Sequence, residues 1–336
     1  MKQTQAFLST YTADVSGVCS ALFELGGMTV MHDASGCNST YNTHDEPRWY
    51  DMDSLVYISG LSELEAVMGD DEKLITDIVD AARQLHPRFI ALAGTPIPMI
   101  TGCDLPAIAR EVEGRTKIPS FAVPSNGIGT YVAGAGQALR LYAERFITSR
   151  PEKRKNAVNI LGATPLDFSV NGCVQSMARR LEEAGFTLQS VFAMSSSIDA
   201  IDKAGAAEAN LVVSSVGLPA AQYLQAQFGT PYVIGAPFGD FFSPYVFDAL
   251  WASIRTGENT RVLGTCSPDA PDTVIVGESV TAKSLAAALA VGYGIGARVI
   301  CPVEAPDGVL GACDLQLEDE EEIEEALRGA KRVIAD

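Results

Sequence analysis

The sequence predicts an α/β protein made of repeated Rossmann-like, doubly wound parallel-sheet domains, the third of them partial. Three observations carry this. Short apolar or β-branched runs alternate with amphipathic helical stretches, the rhythm of βαβ crossovers. The rhythm breaks at a polar stretch, TSRPEKRKN (148–156), and then restarts. It breaks again after GENTRVLGTCSPDAPD and restarts at TVIVGE.

In the first unit, LVYISG (55–60) reads as a strand and LITDIVDAARQLH (74–86) as a helix stopped before Pro87. FIALAG (89–94) is a strand, CDLPAIAREVEG (103–114) a helix closed by Gly114, IPSFAVPS a strand and TYVAGAGQALRLYAERFI a helix. TVMHDASGC reads as a strand running into a loop, GTPIPMITGC as another, and SGVCSALFELGG as a Gly/Ser-flanked segment before the first strand.

In the second unit AVNILG, TLQSVFA, NLVVSSV and PYVIGAP are strands. SMARRLEEAG, SSIDAIDKAGAA with its serine cap, and LPAAQYLQAQFG are the helices between them. In the third, TVIVGE, the helix TAKSLAAALAVGYG, ARVICPVE and the helix EDEEEIEEALRGA lead to VIAD, where a strand begins. The expected domains are therefore 1–150, 156–265 and 272–336. The acidic run at 318–325 reads as a solvated helix whose first turn complements the helix dipole.

Lys plus Arg number 24 and Asp plus Glu 42, a formal charge of −18. A field of that sign opposes phosphate backbones and anionic lipid, so neither nucleic acid nor membrane is an expected partner. A basic protein or a soluble electron donor is compatible with it. The first twenty residues have one Lys and no signal-peptide core, and no stretch reaches membrane-span length, so the expected location is cytoplasmic. Seven scattered cysteines do not form a disulfide framework.

No GxxxxGK[ST], correctly placed GxGxxG, GxSxG or HExxH occurs. GYGIGA (292–297) follows a helix and reads as a helix stop. Cys173 is expected near a helix N-terminus, which lowers a thiol pKa. Cys266, Cys301 and Cys313 read as packing or loop thiols. The most pointed segment is VMHDASGCNSTYNTH (30–44), which sets Cys37 between His32 and His44 at the end of a strand. Ligands of open parallel sheets sit beyond the carboxyl ends of strands. Cys19, Cys37 and Cys103 can therefore converge at one rim, although their wide spacing is a weak signature beside a compact CxxC.

These residues resemble a known family, the component 1 family of nitrogenase-type oxidoreductases. V-M-H-D-A-S-G-C-N is similar to its H-G-x-x-G-C, and I-T-G-C-D-L-P-A-I-A-R-E-V to its I-G-D-D-I-x-x-V. VNILG, LEEAGFTLQSVFAMSSSIDAI, NLVV and AAQYLQAQFGTPYVIGAPFG follow its second domain. The resemblance implies an iron–sulfur cluster shared by the first domains of two related subunits. Cys37 matches the second of three family cysteines, with Gly36 and His32 as cluster-binding neighbours. The first falls near Ala13 and Asp14, with Cys19 late. The third falls near Gly94–Thr95, with Cys103 instead at the following helix start. The metal-ligand candidates are thus Cys37, Cys19 and Cys103, with Asp14 as an oxygen ligand. Ser214-Ser215 stand where catalytic nitrogenase α subunits carry a cofactor cysteine, and hydroxyls are poor soft-metal ligands.

The resemblance implies an electron-relay and substrate-reducing subunit, paired with a homologous second subunit and fed by an ATP-dependent iron–sulfur reductase. Tyr41, Arg48 and Trp49 are either a docking edge or packing residues. Two other readings stay open: a non-catalytic cofactor-assembly scaffold, and a small-molecule binding protein hinged at 148–156.

Overall fold

The computed structural model of the chain describes residues 12–34, 46–264 and 272–335. The first unit runs α1 (Asp14–Leu22), β1 (Met28–His32), β2 (Leu55–Ile58), α2 (Glu63–Met68), α3 (Asp71–Leu85), β3 (Ile90–Gly94), α4 (Pro96–Thr101), α5 (Leu105–Thr116), β4 (Ser120–Val123) and α6 (Tyr131–Phe146). The second runs β5 (Ala157–Leu161), α7 (Pro165–Phe168), α8 (Cys173–Glu183), β6 (Thr187–Val191), α9 (Ile198–Ile201), β7 (Ala209–Val212), α10 (Leu218–Phe228), β8 (Tyr232–Ile234), α11 (Gly239–Thr256) and β9 (Thr260–Arg261). The third runs β10 (Thr273–Val276), α12 (Ser279–Tyr293), β11 (Ala297–Cys301), β12 (Leu315–Gln316), α13 (Glu320–Leu327) and β13 (Arg332–Ala335).

Each unit owns one sheet, and every strand pair within the sheets is parallel. The orders are β2-β1-β3-β4, β6-β5-β7-β8-β9 and β12-β11-β10-β13. All three share one plan. The first strand of the unit lies inside the sheet, the next strand flanks it on one side, and a later strand crosses to the other. A crevice opens at the carboxyl end of the sheet where the winding reverses. Strands β1, β3, β5 and β7 are buried on both faces, as the apolar runs MTVMH, IALAG, AVNIL and ANLV require.

Several elements differ from the sequence expectation, each for a physical reason. Segment SGVCSAL is helical, and all nine residues of α1 are buried. A helix covered on every side has no polar face, so it shows no amphipathic signature. It lies so close to α6 that a Cβ at Gly17 would overlap the Tyr131 carbonyl and one at Gly134 the Asp14 carbonyl. Helix α5 passes through Gly114 and stops at Lys117 in the left-handed conformation. The segment after β3 is not a plain loop, because Pro96 sits at the first position of α4, where its missing N–H costs nothing. No element was expected over 239–256, yet α11 runs there with Pro244 inside it. Helix α12 ends at Gly294, φ 66°, in keeping with a stop at GYGIGA.

The apolar core is continuous across the three units. Val18, Leu139, Leu224 and Val280 belong to one buried cluster, and Gly136 of α6 meets Pro219 of α10. Several polar groups inside it are paired, while Asn210 Nδ2 and Thr273 Oγ1 are buried without a hydrogen-bond partner among the described residues. Asn159 bridges the Asn210 side chain at 2.7 Å and the Ala204 carbonyl at 3.0 Å. Lys283, 1 % exposed, donates to Asp314 Oδ2 at 2.6 Å. No helix among the described residues is long and apolar enough to cross a membrane.

Candidate functional site

The first crevice lies between β1 and β3. His32 ends β1 and sits in register with Gly94, which ends β3. The two strand ends are joined, since Thr95 Oγ1 donates to the His32 carbonyl at 2.8 Å. On the β2 side, His32 Nδ1 lies 2.9 Å from Ser59 Oγ, and the Asp33 N–H donates to that oxygen at 3.1 Å. Burial lowers the His32 pKa below its ordinary value, against the opposing pull of Asp71, Asp33 and Glu65. The imidazole at this rim is therefore neutral at pH 7.

Cys37, Gly36 and His44 follow His32 in sequence and lie outside the described residues, as does Tyr41. The other two thiols occupy different surroundings. Cys19 lies on α1 inside the apolar core, 0 % exposed, and burial followed by the charge of Glu46 pushes its thiol pKa up. Cys103 lies between α4 and α5, half-buried, with Sγ 3.8 Å from Asp71 Oδ1. Burial first, then Asp71 and Asp104, push its pKa up to about 12. Asp14 is 4 % exposed, and its carboxylate accepts the N–H groups of Val15, Asn126 and Gly127 at 2.7–2.8 Å, holding the turn before α6. Among the described residues, no three of His, Cys, Asp and Glu gather as a metal-holding group. Neither Cys19 nor Cys103 thus stands in a group of metal ligands among the described residues.

Cys173 departs from its expectation. It is the first residue of α8, yet its pKa is raised, because burial outweighs the helix terminus.

Arg48 is not an edge residue. Its guanidinium is 4 % exposed and makes a bidentate pair with Glu46, both bonds 2.7 Å. It also donates to Glu24 and to the Ala193 carbonyl, each at 2.9 Å, and to the Ser20 carbonyl at 2.7 Å. Glu24 accepts the Ser195 N–H at 2.7 Å. One cation therefore fastens α1, the chain after residue 45 and the loop after β6. The sequence shows only PRWY here, and long-range partners leave no local signal. Trp49 packs edge-on to Phe23 with ring centroids 6.5 Å apart.

Among the described residues, cavities adjoin the carboxyl ends of strands in the first and third units. One, of about 340 Å³, lies beside the first rim and is lined by Gly94, Met99, Cys103, Leu105 and Pro124 among others. Outside it, α2 and α4 leave Leu64, Val67, Met68, Met99 and Ile100 exposed. The other, of about 230 Å³, lies at the third sheet's reversal, between β10 and β13, and all three units reach it. Tyr131 comes from the first, Asp167 and Phe238 from the second, and Val276, Glu278, Leu285 and Ile334 from the third. Tyr131 OH donates to Asp167 Oδ1 at 2.5 Å. Thr130 is bonded to Glu304. Among the described residues, no Cys, His or Met lines this cleft. The second sheet's crevice is closed instead: a Cβ on Gly162 would come within 2.6 Å of Gly217 N. Ser214 there is fully buried and accepts the Val216 N–H at 3.3 Å, while Ser215 Oγ is buried without a hydrogen-bond partner among the described residues.

Tandem doubly wound units with one crevice at an outer rim and another where the units meet define a multi-domain α/β protein. Residues 16–243 match the family model described as nitrogenase component 1 type oxidoreductase, and the chain belongs to that family. It is 26 % identical over 181 residues to one subunit of the light-independent protochlorophyllide reductase of Nostoc punctiforme, covering 51 % of this chain and 36 % of that one. It is 28 % identical over 196 residues to the nitrogenase iron-molybdenum cofactor biosynthesis protein NifE of Methanosarcina barkeri, covering 54 % and 42 %. The chain thus spans less than half the length of these relatives. The solved structure of nitrogenase Cp1 at pH 5 superposes over 97 % of this chain and 72 % of its own, with TM-score 0.67 and 17 % identity, a likeness of fold.

Arg48→Met strands Glu46 and Glu24 without their cation, and is expected to cost about 3–5 kcal/mol. Urea unfolding followed by fluorescence of the adjacent Trp49 measures it, and adding Glu46→Gln should restore part of the loss. For Cys103, iodoacetamide labelling read by peptide mass spectrometry should be slow at pH 7 and rise about tenfold per pH unit to pH 9, as the thiolate fraction does. Asp71→Asn removes a charge that raises this pKa and should speed labelling at pH 8.

Proposed function

We propose that the chain is a nitrogenase-like component 1 subunit that relays electrons from an ATP-dependent iron–sulfur reductase to a reducible molecule. Cys37 would hold iron at an interface with a homologous second subunit. The observation that carries this reading is the family match together with the rim: the chain leaves β1 toward Cys37 at the reversal point between β1 and β3. Bound there, an iron–sulfur cluster supplies one-electron transfer. The chain's own residues would fix the strand ends through Thr95 and Ser59 and keep an uncharged imidazole, His32, at the end of β1.

Cys19 and Cys103 are assigned no iron in this reading. The first is sealed in hydrocarbon, and the second keeps its proton at neutral pH beside Asp71. The partner subunit then brings the remaining thiols. The apolar face of α2 and α4 suits a docking protein, and exposed Glu63, Asp70, Asp71 and Asp104 nearby favour a basic rim on it. A second reading, a non-catalytic member that only pairs with a partner, is favoured by Ser214 and by the lack of soft ligands among the described residues of the cleft. Reductase-dependent turnover of the complex separates the two.

Iron and sulfide should be near zero in the anaerobically purified chain, appear in the complex with the second subunit, and disappear with Cys37→Ala while surviving Cys103→Ser. Unchanged iron in Cys37→Ala would sink the proposal. Ile100→Asp, at a residue 77 % exposed, should leave thermal stability unaltered and weaken partner or reductase binding at least tenfold, as measured by biolayer interferometry.

A further inference from the structure

We infer that helices α11 and α12 together present an aromatic face on which a second copy of this chain docks, related to the first by a two-fold axis. The face belongs to the second and third units, whereas the rim that leads to Cys37 belongs to the first. The inference goes beyond the proposed function and needs no iron.

The inference begins with the composition of α12. Its sequence, SVTAKSLAAALAVGY, carries one charged side chain, Lys283, and that one is buried against Asp314. A helix apolar on all sides belongs in an interior. The first turns of α12 obey this rule, with Val280, Ala282, Ala286 and Ala287 buried. The last turn does not, since Val291 is 46 % and Tyr293 72 % exposed.

Helix α11 continues the face. Phe241, Pro244 and Tyr245 follow the i, i+3, i+4 spacing that puts residues on one side of a helix. All three are exposed, Phe241 by 62 % and Tyr245 by 56 %. The two helices join there. The rings of Phe241 and Tyr293 stand edge to face with centroids 6.5 Å apart. A Cβ on Gly292 would come within 3.1 Å of Phe241, so this ring lies over α12 at the one position without a side chain. The face is thus assembled before any contact is made, and aromatic anchors lose little conformational freedom on docking.

Charge selects the occupant. The chain carries −18, so two copies repel each other wherever carboxylates face out. Two exposed apolar groups of the first unit have this defect. Glu63, Asp70 and Asp71 flank Leu64, Val67 and Met68 in sequence, and Asp51 and Asp53 flank Met52 beside Trp49 and Tyr50, all of these carboxylates being exposed. On α11 and α12, Asp240 is neutralised by Arg180, and exposed Asp248 stands a turn beyond Tyr245, at the margin. A two-fold contact sets each residue against copies of its own neighbours, so an uncharged aromatic centre is self-complementary where an acidic one is not. A strongly charged partner would find no counter-charge at this centre. The four large side chains offer on the order of 450 Å² per copy and about 900 Å² for the pair, the size of a weak, concentration-dependent dimer.

Sedimentation velocity of the iron-free full chain, from about 1 to about 100 µM, tests this; a reversible monomer–dimer equilibrium with a midpoint on the order of 10 µM is expected. Raising salt from about 0.1 to about 0.5 M should not weaken it, because no attraction between charges is there to be screened. Tyr293→Glu and Phe241→Glu each set a carboxylate against its own copy and should weaken dimerisation at least tenfold. Circular dichroism and thermal midpoint should show both variants folded, since both positions are exposed. Ile100→Asp and Cys37→Ala, in the first unit, should leave dimerisation within twofold. A chain monomeric at every concentration, a dimer that neither Glu variant weakens, a dimer dispersed by salt, or one lost with Ile100→Asp would each overturn the inference. So would a monomeric chain whose binding to phosphatidylcholine vesicles, or to the homologous second subunit, is lost in Tyr293→Glu, because the face would then belong to that occupant. The readout needs no iron, so failure here leaves the Cys37 assay standing, and failure of that assay leaves this result standing.

Discussion

A parallel sheet wound outward from an inner strand cannot close its own carboxyl edge, because the connections on the two sides of that strand leave in opposite directions. This constraint is imposed three times along the chain, and the residues at each edge decide what becomes of it. At β1 and β3 the edge is stitched by Thr95 and Ser59, and the chain leads from it to Cys37. At β5 and β7 the backbone closes it, with Gly217 against Gly162 and a buried Ser214. At β10 and β13 it stays open as the three-way cleft. One topology thus yields a rim, a sealed joint and a cavity.

Joining the units required buried charge. Arg48 is the clearest case, because its five donors meet Glu46, Glu24, Ser20 and Ala193 across the boundary between the first and second units. Glu278 does the same between second and third by capping α12 and holding Ser215 N. Such groups are tolerated only when nearly every lone pair and proton is matched, and a matched set fixes one relative placement of the units better than sliding apolar faces can.

The acidic surface and the apolar face of α2 and α4 belong together. Exposed Leu64, Val67, Met68, Met99 and Ile100 make one concentration of large apolar side chains close to the first rim. Carboxylates around such a face discourage association of like copies and steer a positively charged partner.

The α/β class, the three restarts of the βαβ rhythm and the resemblance to the component 1 family were legible in the sequence, because burial of parallel strands forces unbroken apolar runs and crossovers force helices between them. Strands β5, β6, β7 and β8 of the central sheet and the stop at Gly294 could likewise be read directly, whereas the two-residue edge strand β9 could not. Helix α1 could not, since burial on all sides erases the polar face that marks a helix. The roles of Arg48 and Asp14 could not, because their partners lie far away in sequence: Asp14 meets Asn126 and Gly127, and Arg48 meets Ala193. Nor could the protonation of Cys173, which its place at a helix N-terminus suggests one way and desolvation decides the other. Local patterning determined which elements form. Only the packing of those elements determined which polar groups are sealed, which are paired and which face an open crevice.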